Sequence, residues 1–262
     1  MNHSTDLLNS AAITSVVLFA FRVGGLVLIA PVFSGRTVPA TVRTVVVILV
    51  TWLLAPVAVV AGSVPELSPL TCATETLVGF GMGLGAAVFV GAMDVMGDLV
   101  AITTGLSGAA ALDPLTNQSS AVLGQFANLF AVSLMLAVDA QQVMLRALAE
   151  SVRLIPVGGP VHLETGLPQM LSLGSTLFWL GFRFAAPVVA VVLLANAALA
   201  ILARVAPQLN VLSVAFPLQI GVGLLALAAT VPLIGDFYSG WGGAYQSLVT
   251  NVMGALAGPG GH

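Results

Sequence analysis

Six long apolar segments take up most of this chain, and each is long enough to cross a lipid bilayer as a helix. A helix of about 20 apolar residues spans the hydrocarbon core of a membrane. Clusters of turn-forming residues separate the segments, as in GSVPELSP at 62–69. Helices are favoured over strands, because open sheet edges are not tolerated in lipid and barrel-type alternation is absent. The segments lie at about 11–33, 44–62, 70–92, 121–145, 173–203 and 209–235.

The composition agrees with a membrane location. Only 6% of the residues are charged, 58% are hydrophobic, and the mean hydropathy is +1.09. A soluble domain carries about 25% charged residues, so this chain could not cover a globule with polar surface. The sequence therefore predicts an all-α membrane protein of about six Pro- and Gly-interrupted helices. The N-terminal MNHSTDLLNS lacks a basic region and the first apolar run contains Arg22, so we do not expect a cleavable signal peptide.

Several classes of function are disfavoured by what the sequence offers. The net charge is −3 and all seven basic residues are arginines, which gives nucleic-acid binding no electrostatic support. The single cysteine, Cys72, excludes an intrachain disulfide and a multi-cysteine metal site. No metal-ligand cluster is visible, and we expect no cofactor and no enzymatic activity. The histidines lie at the ends of the chain or in a loop: His3, His162 and His262.

Five charged residues stand inside apolar segments: Arg22, Asp94, Asp98, Asp139 and Arg183. A charge at the bilayer centre costs about 2.5–3.5 kcal/mol on insertion scales. The charges either snorkel or pair within the chain, or their helices face partner subunits or a wet channel. Asp94 and Asp98 lie one helical turn apart and share a face, which does not suit an aspartyl protease with carboxylates on opposing helices.

Two patterns admit more than one interpretation. The run GFGMGLG at 79–85 could suggest a nucleotide loop, but no P-loop lysine follows. Because Gly81 and Gly85 are four residues apart in an apolar segment, close helix packing is favoured. A small-solute transporter is the alternative for the whole chain, since such proteins use interrupted helices around a midplane site. The candidate interruptions and the polar residue near them are Pro56, Pro187, Pro217, Pro232 and Asn196.

Four blocks in a fixed order resemble the FliR/SctT family of type III export-gate subunits. The most specific block is ARVAPQLNVLSVAFPLQIGVGL at 203–224. The others are FRVGGLVLIAPVFSGRTVP at 21–39, GDLVAITTGLSGAAALDP at 97–114 and LIPVGG at 154–159. Each block alone is weakly specific, but the four follow one another in order between residues 21 and 224.

The resemblance implies an export-gate subunit that joins several copies of FliP-like and FliQ-like proteins, with FlhB-like and FlhA-like components nearby. Such assemblies are helical and largely lifted out of the bilayer plane, which would place embedded charges against protein. Arg22, Asp94 and Asp98 are then expected to make subunit contacts. The resemblance also implies a fusion of two kinds of subunit, with 1–165 FliP-like and 166–262 a FliQ-like helical hairpin.

The resemblance assigns roles to two short stretches. One is the hairpin motif, in which Pro207 ends a helix because it lacks an N–H and restricts the residue before it. Its residues are Arg204, Pro207, Gln208, Asn210, Phe216 and Pro217. An ordinary polar loop between spans is the alternative there.

The second stretch, 105–120, is similar to the loop that plugs the closed channel in this family. It departs from the family pattern at Thr103, where glutamine is common, and at Ala109 and Ala111, where larger residues occur, so a latch or bulky seal there is in doubt. The plug residues are Gly105, Leu106, Ser107, Gly108, Asp113 and Pro114.

The expected function is a structural and channel-forming subunit of the flagellar type III export gate. It would help form the conduit for unfolded flagellar proteins in the bacterial inner membrane, at the flagellar basal body and in contact with lipid. PQLNVL at 207–212 favours the flagellar system, and the virulence-type injectisome is the alternative.

Overall fold

The structure is a computed structural model that describes residues 3–35, 38–60, 66–106, 121–206 and 211–258. Every regular element within those ranges is an α-helix, which confirms the predicted fold class. The helices are α1 His3–Ile29, α2 Pro31–Ser34, α3 Ala40–Val60, α4 Pro69–Thr103, α5 Ala121–Ala137, α6 Ala140–Leu154, α7 Leu163–Val205, α8 Val211–Ser239 and α9 Trp241–Ala257.

The described helices include five that are long and apolar enough to cross a membrane: α1, α3, α4, α7 and α8. There are up to six if the broken pair α5–α6 counts as one span. All six predicted segments are therefore helical over most of their described residues. Helix α7 is much longer than a bilayer requires, because its 43 residues at a rise of 1.5 Å extend about 65 Å.

The fourth predicted segment, 121–145, is not one helix. The chain breaks at Val138 and Asp139, and Asp139 has the left-handed backbone angles φ 55° and ψ 37°. Aspartate tolerates this conformation better than most residues. The carbonyl of Asp139 accepts the first hydrogen bond of α6, from the backbone N of Gln142 at 2.9 Å. Asp139 is exposed at this helix start, between the two helices that would together form one broken span, so its position within the membrane stays a prediction.

The transporter alternative expected helices interrupted at the prolines, but the helices continue through them. Pro56 lies inside α3, and Pro217 and Pro232 lie inside α8. Pro187 lies within the bounds of α7. Membrane helices tolerate proline where neighbouring groups satisfy the freed backbone carbonyl. The sequence feature that favoured a transporter is thereby weakened.

The chain divides into two compact units that do not follow the chain order. Unit 1 comprises Met1–Val88, Met135–Gly174 and Trp241–His262, and unit 2 comprises Phe89–Leu134 and Ser175–Gly240. Helices α4 and α7 each contribute one part to each unit. The division at 165 concerns resemblance to two kinds of subunit, not compactness, and it stays a prediction.

In unit 1, α1 packs against α3, and α6 packs against both α3 and α9. The glycines of GFGMGLG allow α4 to approach its neighbours closely. A Cβ at Gly79 would collide with the backbone carbonyl of Arg22 in α1. A Cβ at Gly85 would lie 3.4 Å from Val249 in α9. The close-packing interpretation of this run is confirmed.

Helix α9 was not among the predicted segments. Most of its buried residues recur every three or four positions, with Met253 added next to Val252: Trp241, Tyr245, Val249, Val252, Met253 and Leu256. This is the period of a helix with one apolar face. The other face carries glycine and polar residues, so a search for long apolar runs passes over it.

The core of unit 2 is aromatic. The ring of Phe237 lies 5.0 Å from that of Phe184 and 6.0 Å from that of Phe89, measured between centroids. Next to it, the Tyr238 hydroxyl donates to the backbone carbonyl of Phe89 at 3.0 Å. These contacts fix the end of α8 against α4 and α7 within this unit.

Candidate functional site: a buried ion pair and exposed helix faces

Arg22 of α1 forms a buried ion pair with Glu75 of α4. Arg22 Nε donates to Glu75 Oε2 at 2.6 Å, and Nη2 donates to Oε1 at 3.0 Å. This is the two-point geometry in which a guanidinium matches a carboxylate. Arg22 Nη1 donates to Ser151 Oγ at 3.0 Å, and Glu75 Oε1 accepts from the backbone N of Gly158 at 2.7 Å. The two charged side chains are 0% and 3% exposed.

This network joins α1, α4, α6 and the loop after α6 inside unit 1. It satisfies the charge of Arg22 within the chain, which was the alternative that the sequence left open. Arg22 therefore differs from its expected role in subunit contacts: it has no exposed surface with which to reach another chain. A buried charge without such a partner would be strongly destabilising.

Sequence reasoning did not single out Glu75. It stands near the start of an apolar segment, where a carboxylate passes for part of the preceding polar turn. The available signal was complementarity, because Glu75 is the acidic residue inside the 70–92 run and Arg22 is the basic residue inside the 11–33 run. Intramembrane charges of opposite sign commonly pair.

Asp94 and Asp98 of α4 lie in unit 2 and differ in their surroundings. Asp94 is half-buried and accepts a hydrogen bond from Asn128 Nδ2 of α5 at 3.0 Å. Asp98 is exposed, and its carboxylate lies beside Gly124, where an added Cβ would be 3.0 Å from Oδ1. Asp94 thus contributes to an interhelical contact, whereas Asp98 presents its charge outward.

Helix α7 presents an exposed aromatic face with a charge on it. The Arg183 guanidinium lies 5.2 Å from the centre of the Trp179 ring, one turn away. Both residues are exposed, as are Phe178 and Phe182, each 57% exposed. A cation over an aromatic ring gains about 0.5–1 kcal/mol at an exposed site, which offsets only part of the cost of placing a charge in lipid.

The hairpin motif joins α7 to α8. Helix α7 ends at Val205, two residues before Pro207, and α8 begins at Val211. Arg204 is exposed in the last turn of α7, Phe216 is 50% exposed, and Pro217 lies within α8. The predicted hairpin residues Pro207, Gln208 and Asn210 lie outside the described residues.

One polar contact links the two helices of this hairpin. Gln219 Nε2 donates to Asn196 Oδ1 at 2.6 Å, and both residues are half-buried. The sequence had marked Asn196 only as a polar residue in an apolar run, and it had not paired it with Gln219.

Only the start of the predicted plug loop is described. Gly105 has φ 77°, which favours glycine, and a Cβ there would lie 3.4 Å from the ring of Phe216. Leu106 is half-buried. The remaining predicted plug residues, Ser107, Gly108, Asp113 and Pro114, lie outside the described residues.

Most polar groups named above serve helix-to-helix contacts. Across the described ranges, no group of three or more His, Cys, Asp or Glu side chains is placed to hold a metal ion. An all-helical chain with several apolar helices of membrane-spanning length is an integral membrane protein.

The comparisons with known proteins define the family. The profile described as bacterial export proteins, family 1, matches residues 13–241. Flagellar biosynthetic protein FliR of Bacillus subtilis is 30% identical over 242 residues, which cover 89% of this chain and 90% of the relative. FliR of Escherichia coli strain K12 is 29% identical over 219 residues, covering 82% and 84%. The chain belongs to the FliR family of bacterial export proteins, which confirms the resemblance seen in its sequence.

Proposed function

We propose that this chain is a structural and channel-forming subunit of the flagellar type III export gate. In this role it helps form the conduit through which unfolded flagellar proteins cross the bacterial inner membrane, at the flagellar basal body. The observation that carries the proposal is the similarity, over more than 80% of the chain, to relatives named flagellar biosynthetic protein FliR. These relatives favour the flagellar system over the injectisome alternative.

The exposure of the α7–α8 hairpin supports a role in an assembly. In the most apolar stretch of α7 only 22% of residues are buried, and in that of α8 only 17%, compared with 67% in α4. Helices that bury so little within their own chain must be covered by lipid or by other helices. Helix association in membranes depends on packing and interhelical hydrogen bonds, and the exposed sides of this hairpin present large apolar side chains for such packing.

The exposed charges favour protein over lipid as the covering. Arg183 lies about halfway along α7, and a charge facing lipid at the bilayer centre would cost about 2.5–3.5 kcal/mol. A neighbouring helix with a carboxylate or free carbonyl groups would remove this cost. The exposed carboxylate of Asp98 in α4 would likewise be stabilised by a hydrogen-bond donor from another chain. The proposed neighbours are FliP-like and FliQ-like subunits, with FlhB-like and FlhA-like components beyond them.

The segment 105–120 is proposed as the plug of the closed channel. The family resemblance is its main support, together with the left-handed Gly105, which lets the chain turn as it leaves α4. Deleting 107–112 should leave the subunit assembled and raise ion leakage through the closed gate. Membrane-potential measurements on cells with the complete gate test this. Leakage equal to that of the unaltered gate would assign the seal to partner subunits.

The proposed function is tested by export in a strain that lacks this gene. The unaltered chain should restore motility and secretion of flagellar proteins, whereas Arg204→Ala and Pro207→Leu should restore them less well. Leu225→Ala is the matched comparison, because Leu225 lies on the exposed face of α8 away from the turn, and a smaller loss than in Arg204→Ala separates the effect of the turn from that of the face. Co-purification with FliP-like subunits should accompany restored export.

Two results would count against the proposal. Normal motility in cells without the gene would remove the link to flagellar export. A stable, monodisperse monomer that never associates with FliP-like subunits, and whose vesicles take up a small solute, would favour the transporter instead.

A further inference from the structure

The α7–α8 hairpin contains a polar contact between two apolar stretches. Asn196 stands in VVLLANAALA and Gln219 in FPLQIGVGLL, and their amides are joined by the 2.6 Å hydrogen bond. An amide in apolar surroundings is costly to leave without a partner. Each side chain therefore restricts where the other can lie.

A second contact belongs to the same alignment of the two helices. Val192 lies four residues before Asn196, and Gly223 lies four residues after Gln219, so each is one helical turn further from the hairpin tip. A Cβ built on Gly223 would lie 3.5 Å from Val192 Cγ2. The hydrogen bond and this close approach thus define one antiparallel register.

Gly223 also packs against Thr104, the residue that directly follows α4. Thr104 is 1% exposed, and its Oγ1 donates to the backbone carbonyl of Val100 at 2.7 Å. Its methyl group occupies the space that a Cβ on Gly223 would need. If the hairpin register changed by one turn, a larger residue would face Thr104 in place of Gly223.

Far from the hairpin tip, the rings of Phe184 in α7 and Phe237 in α8 also meet, whereas the other residues near the tip do not select a register so strictly. The flanking residues are mostly Ala, Leu and Val, and a slide of one turn exchanges one such residue for another of similar size. In coiled coils, a single buried polar residue selects one register from several apolar alternatives. We propose that the Asn196–Gln219 hydrogen bond determines the register of the α7–α8 hairpin near its tip, with the Gly223 contact to Thr104 in support.

Disulfide trapping in the full-length chain, expressed in membranes with its native partners, tests this proposal. Cys72 is replaced by Ser, and cysteines are introduced at Val188 and Leu227, one turn beyond Val192 and Gly223. The slipped pair, Val188→Cys with Val231→Cys, reports a shift of one turn. With the native amides, the first pair should cross-link in strong preference to the second.

The cross-linking preference is compared in three backgrounds: the native amides, a variant without them, and a variant with the two amides exchanged. In Asn196→Leu/Gln219→Leu, the preference for the in-register pair should fall about threefold to fifteenfold, the range that interhelical hydrogen bonds in membranes imply. In the exchanged pair Asn196→Gln/Gln219→Asn, which can rebuild the hydrogen bond, the preference should return. An unchanged preference in the Leu/Leu background would overturn the proposal. So would a loss of preference in the exchanged pair, because side-chain volume would then be responsible.

Discussion

The buried ion pair allows a quantitative prediction for unit 1. Replacing Glu75 by Met leaves the Arg22 guanidinium buried without the two hydrogen bonds from Nε and Nη2, and it removes the acceptor of the Gly158 N–H. Breaking a buried pair from one side costs about 3–5 kcal/mol. Met is flexible and similar in length, so little of this cost should come from lost volume.

The double variant Arg22→Met/Glu75→Met should behave differently. It removes both charges together, and buried ion pairs replaced by apolar residues of similar size are often neutral or more stable. We therefore expect the double variant to lie closer to the unaltered protein than Glu75→Met does. Ser151 Oγ keeps a partner in the double variant, because it also donates to the Leu148 carbonyl at 2.7 Å.

The assay is unfolding in detergent, followed by temperature or by titration with a denaturing detergent, on the unaltered protein, the two single variants and the double variant. The coupling free energy between the two positions should be several kcal/mol, with the double variant recovering most of the loss. A double variant as unstable as the sum of the two singles would refute the reasoning, since the residues would then act independently.

Two further outcomes follow from the packing of unit 1. Gly79→Ala should destabilise the protein by about 1–3 kcal/mol, because its Cβ meets the backbone of α1 and the helices must separate. The control is Gly24→Ala, whose Cβ would meet nothing within 4 Å. It should be neutral or stabilising in the same unfolding assay. Burial raises the pKa of the Tyr245 hydroxyl, so the folded state favours the neutral form. Above pH 10 the unfolded chain loses this proton while the folded chain keeps it, so the free energy of unfolding should fall by up to about 1.4 kcal/mol per pH unit. Tyr245→Phe should reduce that slope, and an unchanged slope would show that Tyr245 is not its source.

The apolar segments were predictable because length and hydropathy alone decide whether a helix can cross a bilayer. The break at Asp139 was not, because it depends on one residue in a left-handed conformation within a continuous apolar run. Helix α9 was missed because it contains no continuous apolar run. Its apolar face is spaced at helical intervals and its other face is polar, so only periodicity could have revealed it.

The partners of the embedded charges could not be predicted from local sequence. Arg22 and Glu75 are 53 residues apart, and Asp94 and Asn128 are 34 apart. Which helices meet, and at what height, is set by close approaches such as that of Gly79 to α1. The sequence showed that these charges needed partners, and the fold determines which partner each receives.

The charged residues within the apolar helices differ in exposure between the two units, and this bears on how an assembly could form. In unit 1 the pair of Arg22 and Glu75 is closed off from the surroundings, so these two charges need no partner from another chain. In unit 2 Asp98 and Arg183 remain exposed on helices of membrane-spanning length, where lipid offers no compensation. A neighbouring chain that supplies a partner to Asp98 or Arg183 would therefore remove this cost in unit 2.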